Sequence, residues 1–188
     1  MDSTNLKLAV SEEELNQIIE LQKKNLKENL SPKEKESQGF VTAEYSLSYL
    51  KEVNDLSPAV ILKATKVVGY AIAVTREHGQ KHALLNELFK QFDRQTYKGK
   101  FLAKENYIVV GQLCIDKNHR GKGNVDKMYS FFKTSYPTYR YCVTAVDSEN
   151  YRSMAVHQRC GFKKIGSLTL SQRPGDIIIW DWEEQAKF

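Results

Sequence analysis

The stretch from Asn106 to Val146 constrains this chain more than any other part of it. "NYIVVGQLCID" (106–116) is an apolar run rich in β-branched residues and reads as a strand. Gly111 lies inside it, a position that suggests a β-bulge or a close backbone approach. "HRGKGN" (119–124) follows. Val125, Met128, Tyr129, Phe132 and Tyr136 then recur at helical spacing, and Pro137 marks the end of the helix. "RYCVTAV" (140–146) is a second strand. Strand, helix and strand in succession imply a parallel pair joined by a crossover helix.

The remaining segments place other elements around that pair. "LKLAV" (6–10) reads as a strand, and Ser11 with Glu14 forms a capping box for the helix behind it. Leu15, Ile18, Ile19, Gln22 and Leu26 share one face of that helix. "SPKEKESQGFVTAEYS" (31–46) reads as a polar surface loop, and "SLSYLKEVND" as a short helix. "AVILKAT" and "KVVGYAIAVT" are strands separated by almost nothing, hence an antiparallel hairpin. Leu84, Leu85, Leu88, Phe89 and Phe92 mark a helix near 80–94. "NYRSMAVHQRC" (150–160) is a helix that Asn150 can cap and Gly161 can end. "FKKIGSLTL" and "DIIIWDW" are the last strands, with "RPG" as the expected turn between them. The order is β-α-α-β-β-(α)-β-α-β-α-β-β. It predicts one α/β domain over 1–188, with a mixed sheet and helices on both faces.

Composition narrows the function classes. Twenty aromatics among 188 residues (8 Phe, 10 Tyr, 2 Trp) can fill a core. No run approaches the roughly 18 apolar residues that a membrane helix needs. The start lacks a basic end followed by an apolar block, so a cytoplasmic protein is expected. Cys114, Cys142 and Cys160 are widely spaced, with no C-x-x-C, and read as buried thiols rather than metal or redox groups. His78 and His82 stand at i, i+4, but Gly79 interrupts them and no third ligand is evident, so no metal is expected. The net charge of +5 is dispersed and not interleaved with aromatics, which argues against nucleic acid.

The glycine loop carries the chemistry. A dinucleotide fingerprint would need glycine at 126, where this chain has Asp126, and no window fits a P-loop. The underlying physics remains: a strand ends, glycines turn the chain, and a helix begins with unpaired N–H groups that favour an anion. Arg120 and Lys122 add positive charge and Gly121 and Gly123 add backbone freedom. From the residues alone, a phosphate site and a plain solvated turn both stand.

"LCIDKNHRGKGN" resembles motif A of the GNAT superfamily, the GCN5-related N-acetyltransferases, which reads R/Q-x-x-G-x-G/A between a bulged strand and a helix. Arg120, Gly121, Lys122, Gly123 and Asn124 match, while Val125 replaces the usual Gly or Ala. "NYRSMAVHQRCGF" (150–162) is similar to motif B: Asn150, Gly161 and Phe162 match, Ser153 stands for its small residue and Val156 for its aliphatic one. The element order agrees along the chain. The resemblance implies a single-domain GNAT-like fold, mostly antiparallel, with a central parallel strand pair that splays apart.

It also implies a function: acetyl transfer from acetyl-CoA to a primary amine. Arg120 through Val125 would cradle the pyrophosphate, with Asn150 and Ser153 nearby. Leu113, Cys114 and Ile115 would pair with the pantetheine arm, and the Leu113 N–H would hold the oxyanion. His157 stands where the family places a tyrosine acid. Gln112 stands where many members place a glutamate base, and could orient a water or the amine. Glu44, Tyr70, Glu105 and Tyr107 are further candidates for the proton path, beside a water relay. The acceptor, a small-molecule or peptide amine, would be chosen by 26–50 and 76–105. "QGFVTAEYSL" (38–47) is the expected lid, with Phe40 and Tyr45 exposed. A homodimer is among the expected partners; a membrane and nucleic acid are not. The alternative is an acyl-CoA-binding relative that has lost catalysis.

Overall fold

The computed structural model describes residues 3–79, 81–170 and 173–184. Its sheet has seven strands. β1 (Asn5–Leu8), β2 (Val60–Lys63) and β3 (Val67–Val74) lead to β6 (Tyr107–Ile115), and β7 (Tyr141–Asp147) is followed by β9 (Arg173–Asp181) and the edge strand β8 (Lys163–Leu170). Every neighbouring pair is antiparallel except β6 and β7. The crossover helix α6 (Asn124–Ser135) joins that parallel pair, as the sequence between 106 and 146 predicts. β4 (Thr96–Tyr97) and β5 (Lys100–Phe101) form a separate small hairpin that the sequence reading did not identify.

Helices cover both faces. On one, α1 (Glu12–Asn25), α3 (Leu47–Leu56) and α5 (Ala83–Asp93) bury Ile18, Leu50 and Phe92 against Ile72, Val109 and Ile179. On the other, α6 and α7 (Tyr151–Arg159) lie over Ile108, Cys142 and Ile178, with Met128, Phe132 and Phe162 in the packing. The two apolar faces explain why the central strands read as continuous apolar runs rather than alternating ones. No helix among the described residues is long and apolar enough to cross a membrane.

Three segments differ from the sequence reading. The polar stretch 31–46 contains helix α2 (Pro32–Gln38), where Ser31 and Glu34 complete a capping box and Pro32 opens the helix. Arg173, Pro174 and Gly175 lie in β9 rather than in a turn, so the β8–β9 connection falls on 171 and 172, outside the described residues. Pro174 stands at the strand's start, where a missing N–H is tolerated. The helix expected at 80–94 is α5, preceded by a single turn, α4 (Arg76–Gly79).

Candidate active site

The parallel strands part soon after they meet. They pair at Tyr107–Tyr141, Ile108–Cys142 and Val109–Val143 and no further. The Thr144 hydroxyl donates to the Val110 carbonyl at 2.8 Å, a last link where the gap opens. Gly111 is the extra residue of a bulge, since Ile72 opposes Gln112 while Ala73 opposes Val110. A Cβ there would stand 2.8 Å from a Val74 methyl, so only glycine fits. Beyond the bulge, the Asp116 N–H donates to Val68 O. With the two-residue period of a strand, the N–H groups of Gln112 and Cys114 then turn toward β3, and those of Leu113 and Ile115 turn into the gap.

The glycine loop closes one end of this gap. Gly121 and Gly123 both have φ of 71°, and neither would meet a neighbour with an added Cβ. Gly123 is the N-cap of α6, and no side chain caps that end. The first intrahelical bond at this end is Lys127 N–H to Gly123 O at 3.2 Å, so the Asn124 and Val125 N–H groups before it lack helical partners. These residues open on a cavity of about 400 Å³ together with Leu113, Cys114, Ile115, Arg120, Asn150, Ser153 and His157. Eleven of the thirteen residues that the sequence assigns to donor binding or catalysis thus share one cavity; Lys122 and Gln112 do not line it. Lys122 is exposed and donates to Asn118 O.

Arg120 is a clamp. Its guanidinium donates to Ile115 O (2.8 Å), to Gln38 O and Oε1 (3.1 and 3.0 Å) and to Asn25 Oδ1 (2.6 Å). It ties the end of β6 to α1 and α2. Across the gap, Lys27 reaches Asp147 Oδ2 (3.0 Å) and Glu149 Oε2 (2.6 Å) while its ammonium sits over the Phe40 ring. Asn150 caps α7 through the Ser153 N–H and also donates to Phe40 O at 2.8 Å. Residues 25–27 and 38–41, joined by the Leu26–Val41 bridge, therefore form a strap between the loop after β6 and the end of β7.

A second cavity, of about 560 Å³, lies on the opposite face of the sheet. Its floor is Val109 to Gly111 and Thr144 to Asp147; its walls are Thr42, Ala43, Tyr45, Leu88, Phe92 and Leu168. The segment 38–45 borders both cavities. Its inner end is latched to the bulge: the Tyr45 hydroxyl donates to Gly111 O (3.1 Å), and the Gln112 amide donates to Ala43 O (2.7 Å). Gln22, wholly buried on α1, holds both the N–H and the carbonyl of Tyr45 at 3.0 Å. The expected exposed lid aromatic, Tyr45, is instead 1% exposed, because its ring packs against Tyr49 and its hydroxyl is bonded inside.

The residues considered for proton transfer are mostly occupied. His157 is buried; its Nδ1 lies 2.7 Å from Ser153 O and its Nε2 2.7 Å from the Tyr129 hydroxyl. These contacts suit a neutral ring that donates from Nδ1 and accepts at Nε2. Burial pushes its pKa down, which disfavours the charged ring that a general acid at this position would need. Gln112 receives the Tyr70 hydroxyl at its Oε1 while donating to Ala43, so both of its ends are engaged. Burial pushes the Cys114 thiol up to about 12. Glu44 is exposed. Glu105 and Tyr107 line a third, smaller cleft at the other end of β6, where the Tyr107 hydroxyl bonds Asp93. In the lining of the first cavity, Asp126 pairs with Arg159 at 2.8 Å, and that pairing holds its carboxyl below the usual range.

Asn25, Gln22 and Lys27 carry no individual site role in the sequence reading, and Gln38 and Tyr45 enter it only as part of the expected lid. Only Gln22 carried a signal: a polar side chain on the apolar face of α1 must find a buried partner.

Comparison with known proteins agrees with this fold. Residues 15–162 match the model of the acetyltransferase (GNAT) family, and the chain belongs to that family. No curated protein matches it. Among solved structures, a GNAT-family acetyltransferase from Streptococcus agalactiae is 14% identical with a TM-score of 0.66, covering 96% of each chain. The NatC complex bound to Gag peptide and CoA is 11% identical with a TM-score of 0.61, covering 95% of this chain and 98% of that one. AAC(6')-Ib in complex with parmomycin and acetyl-CoA is 15% identical with a TM-score of 0.60 over the whole of both chains. At these identities the likeness is one of fold.

Proposed function

We propose that this protein transfers the acetyl group of acetyl-CoA to a primary amine. One observation carries the reading: the cavity behind the glycine loop and the cavity on the opposite face both border the gap between β6 and β7. Donor and acceptor could therefore meet through the sheet. Similar folds have been solved with CoA or acetyl-CoA.

The residues fit this donor. Positive φ at Gly121 and Gly123, with open space where each Cβ would stand, suits close approach of a pyrophosphate to backbone N–H groups. Val125 keeps its N–H, so the departure from Gly or Ala leaves that donor in place. Leu113 and Ile115 offer backbone groups on an unpaired strand edge, which suits the amides of a pantetheine arm. The Leu113 N–H would stabilise the oxyanion as the amine nitrogen attacks the thioester carbon. The C–S bond then breaks, the thiolate leaves, and the proton lost by the attacking nitrogen reaches sulfur or solvent through water.

In this reading Arg120, Gln112 and His157 are positioning residues. Arg120 holds the loop, Gln112 holds segment 43–45 against the bulge, and His157 braces α7 against Tyr129. A second reading, an acyl-CoA-binding protein without turnover, is favoured by one observation: both ends of Gln112 and both ring nitrogens of His157 are engaged. Calorimetry with acetyl-CoA and a thiol-release assay with a panel of amines distinguish the two. Binding with turnover supports acetyl transfer; binding without turnover supports the second reading; absence of binding sinks both. Gly123→Ala places a Cβ where the pyrophosphate would approach and should weaken acetyl-CoA binding.

A further inference from the structure

We infer that the acceptor is a primary amine on a compact apolar body, rather than a polyhydroxylated or polycationic amine. The inference rests on the acetyl-transfer reading above and concerns the cavity of about 560 Å³. Its lining includes Tyr45, Leu88, Phe92 and Leu168 in the walls and Val109 in the floor, none more than 8% exposed.

The polar groups deep in this cavity already have partners. The hydroxyls of Tyr45 and Thr144 donate to the carbonyls of Gly111 and Val110. The Asp147 carboxylate is taken by the Lys27 ammonium at 3.0 Å and the Glu149 N–H at 2.9 Å. Glu28, Thr42 and Arg173 line the same cavity but are exposed and form its rim.

A hydroxyl or second ammonium placed against these walls would lose its water and find few replacements. A hydrocarbon or aromatic group placed there gains by leaving water. The nitrogen itself has a different setting, because the floor opens at Gly111, where the strands have parted and backbone groups are unpaired by β7. A cavity of this size suits a small molecule or one terminal residue of a chain.

The shared chemistry has two sources: a free alkyl- or arylalkylamine, or the α-amino group of a peptide whose first residue is apolar. Thiol release from acetyl-CoA should be measured with phenethylamine, isoamylamine, tetrapeptides beginning with Leu or Phe, tetrapeptides beginning with Ser or Asp, spermidine and an aminoglycoside. The apolar-bodied amines should exceed the polar ones in kcat/KM by about tenfold or more. Whichever apolar arm is faster identifies the source. Preference for spermidine, the aminoglycoside or the polar peptides, or equal rates for all, would overturn the inference and leave acetyl transfer standing. Calorimetric binding of acetyl-CoA with no turnover of any amine would overturn both.

Leu168→Lys places a charge on the wall from an edge strand. It should lower kcat/KM for the best apolar amine by about tenfold or more. The acetyl-CoA affinity should stay unchanged, which controls for folding. A variant with intact acetyl-CoA binding and undiminished turnover of that amine would contradict the assignment of this wall.

Discussion

The Tyr45 hydroxyl donates a hydrogen bond to the carbonyl of Gly111, 66 residues away, at 3.1 Å. That carbonyl belongs to the bulge at which β6 turns away from β7. Tyr45→Phe keeps the ring and its packing but leaves the carbonyl without this donor. Stability should fall by about 1–2 kcal/mol in denaturant titrations. If the bulge sets the position of the Leu113 N–H, kcat should fall while acetyl-CoA affinity stays within a few-fold. An unchanged kcat would show that the bulge holds its shape without Tyr45.

His157 is expected to be structural. Both of its ring nitrogens are engaged, and Phe162 and Tyr129 pack edge-on against it. His157→Ala should destabilise the fold by about 2–4 kcal/mol, through a cavity and an orphaned Tyr129 hydroxyl. The folded fraction should keep kcat within a few-fold. The folded-state pKa is lowered by burial, so the unfolded chain binds the proton more readily. The stabilisation by the neutral ring is therefore present above about pH 6.5 and declines as pH falls below it. A kcat loss of a hundredfold or more in well-folded variant protein would restore the acid role.

Much of this architecture was legible because it is written locally. The crossover from 106 to 146, the caps Ser11 and Asn150, and Gly111 inside a strand are short-range signals, and each appears in the fold. The glycine loop was legible for the same reason, since φ of 71° at two positions needs two glycines. The strap was not legible. Arg120 meets Asn25 across 95 residues, and Lys27 meets Asp147 across 120. Such pairs leave no periodicity to read. Helix α2 was missed although Ser31, Pro32 and Glu34 spell its start, because its exposed helical face carries no apolar stripe. Tyr45 reads as exposed in a polar stretch because Gln22 on α1 signals that it needs a buried partner but not that the partner is Tyr45, 23 residues on.

The strap can be tested through Lys27. Its ammonium holds Asp147, whose side chain is 8% exposed, so Lys27→Met leaves a largely buried carboxylate without its cation. Stability should fall by about 2 kcal/mol. Adding Asp147→Asn should recover part of that loss, because the stranded charge is then gone. A double-mutant cycle that gave no coupling between the two positions would show that the strap is held elsewhere, by Asn150 and Arg120.

Glu14, which lines neither of the two main cavities, gives the fold an acid-sensitive anchor. Burial alone would raise its pKa, but hydrogen bonds from Lys63, Lys7 and the Val10 N–H together hold it at about 2. Lys7 and Lys63 stand 2.7 and 2.8 Å from the same oxygen and join β1 and β2 to α1. With the folded pKa depressed, the unfolded state binds the proton first. The stabilisation is thus full above the unfolded value near 4.5 and is lost as pH falls toward 2. A shift of this size corresponds to about 3 kcal/mol at neutral pH. Denaturant midpoints measured from pH 7 to pH 2 should decline through that window, and Glu14→Gln should start lower and decline less. A variant whose acid profile ran parallel to that of the parent would place the acid-sensitive group elsewhere.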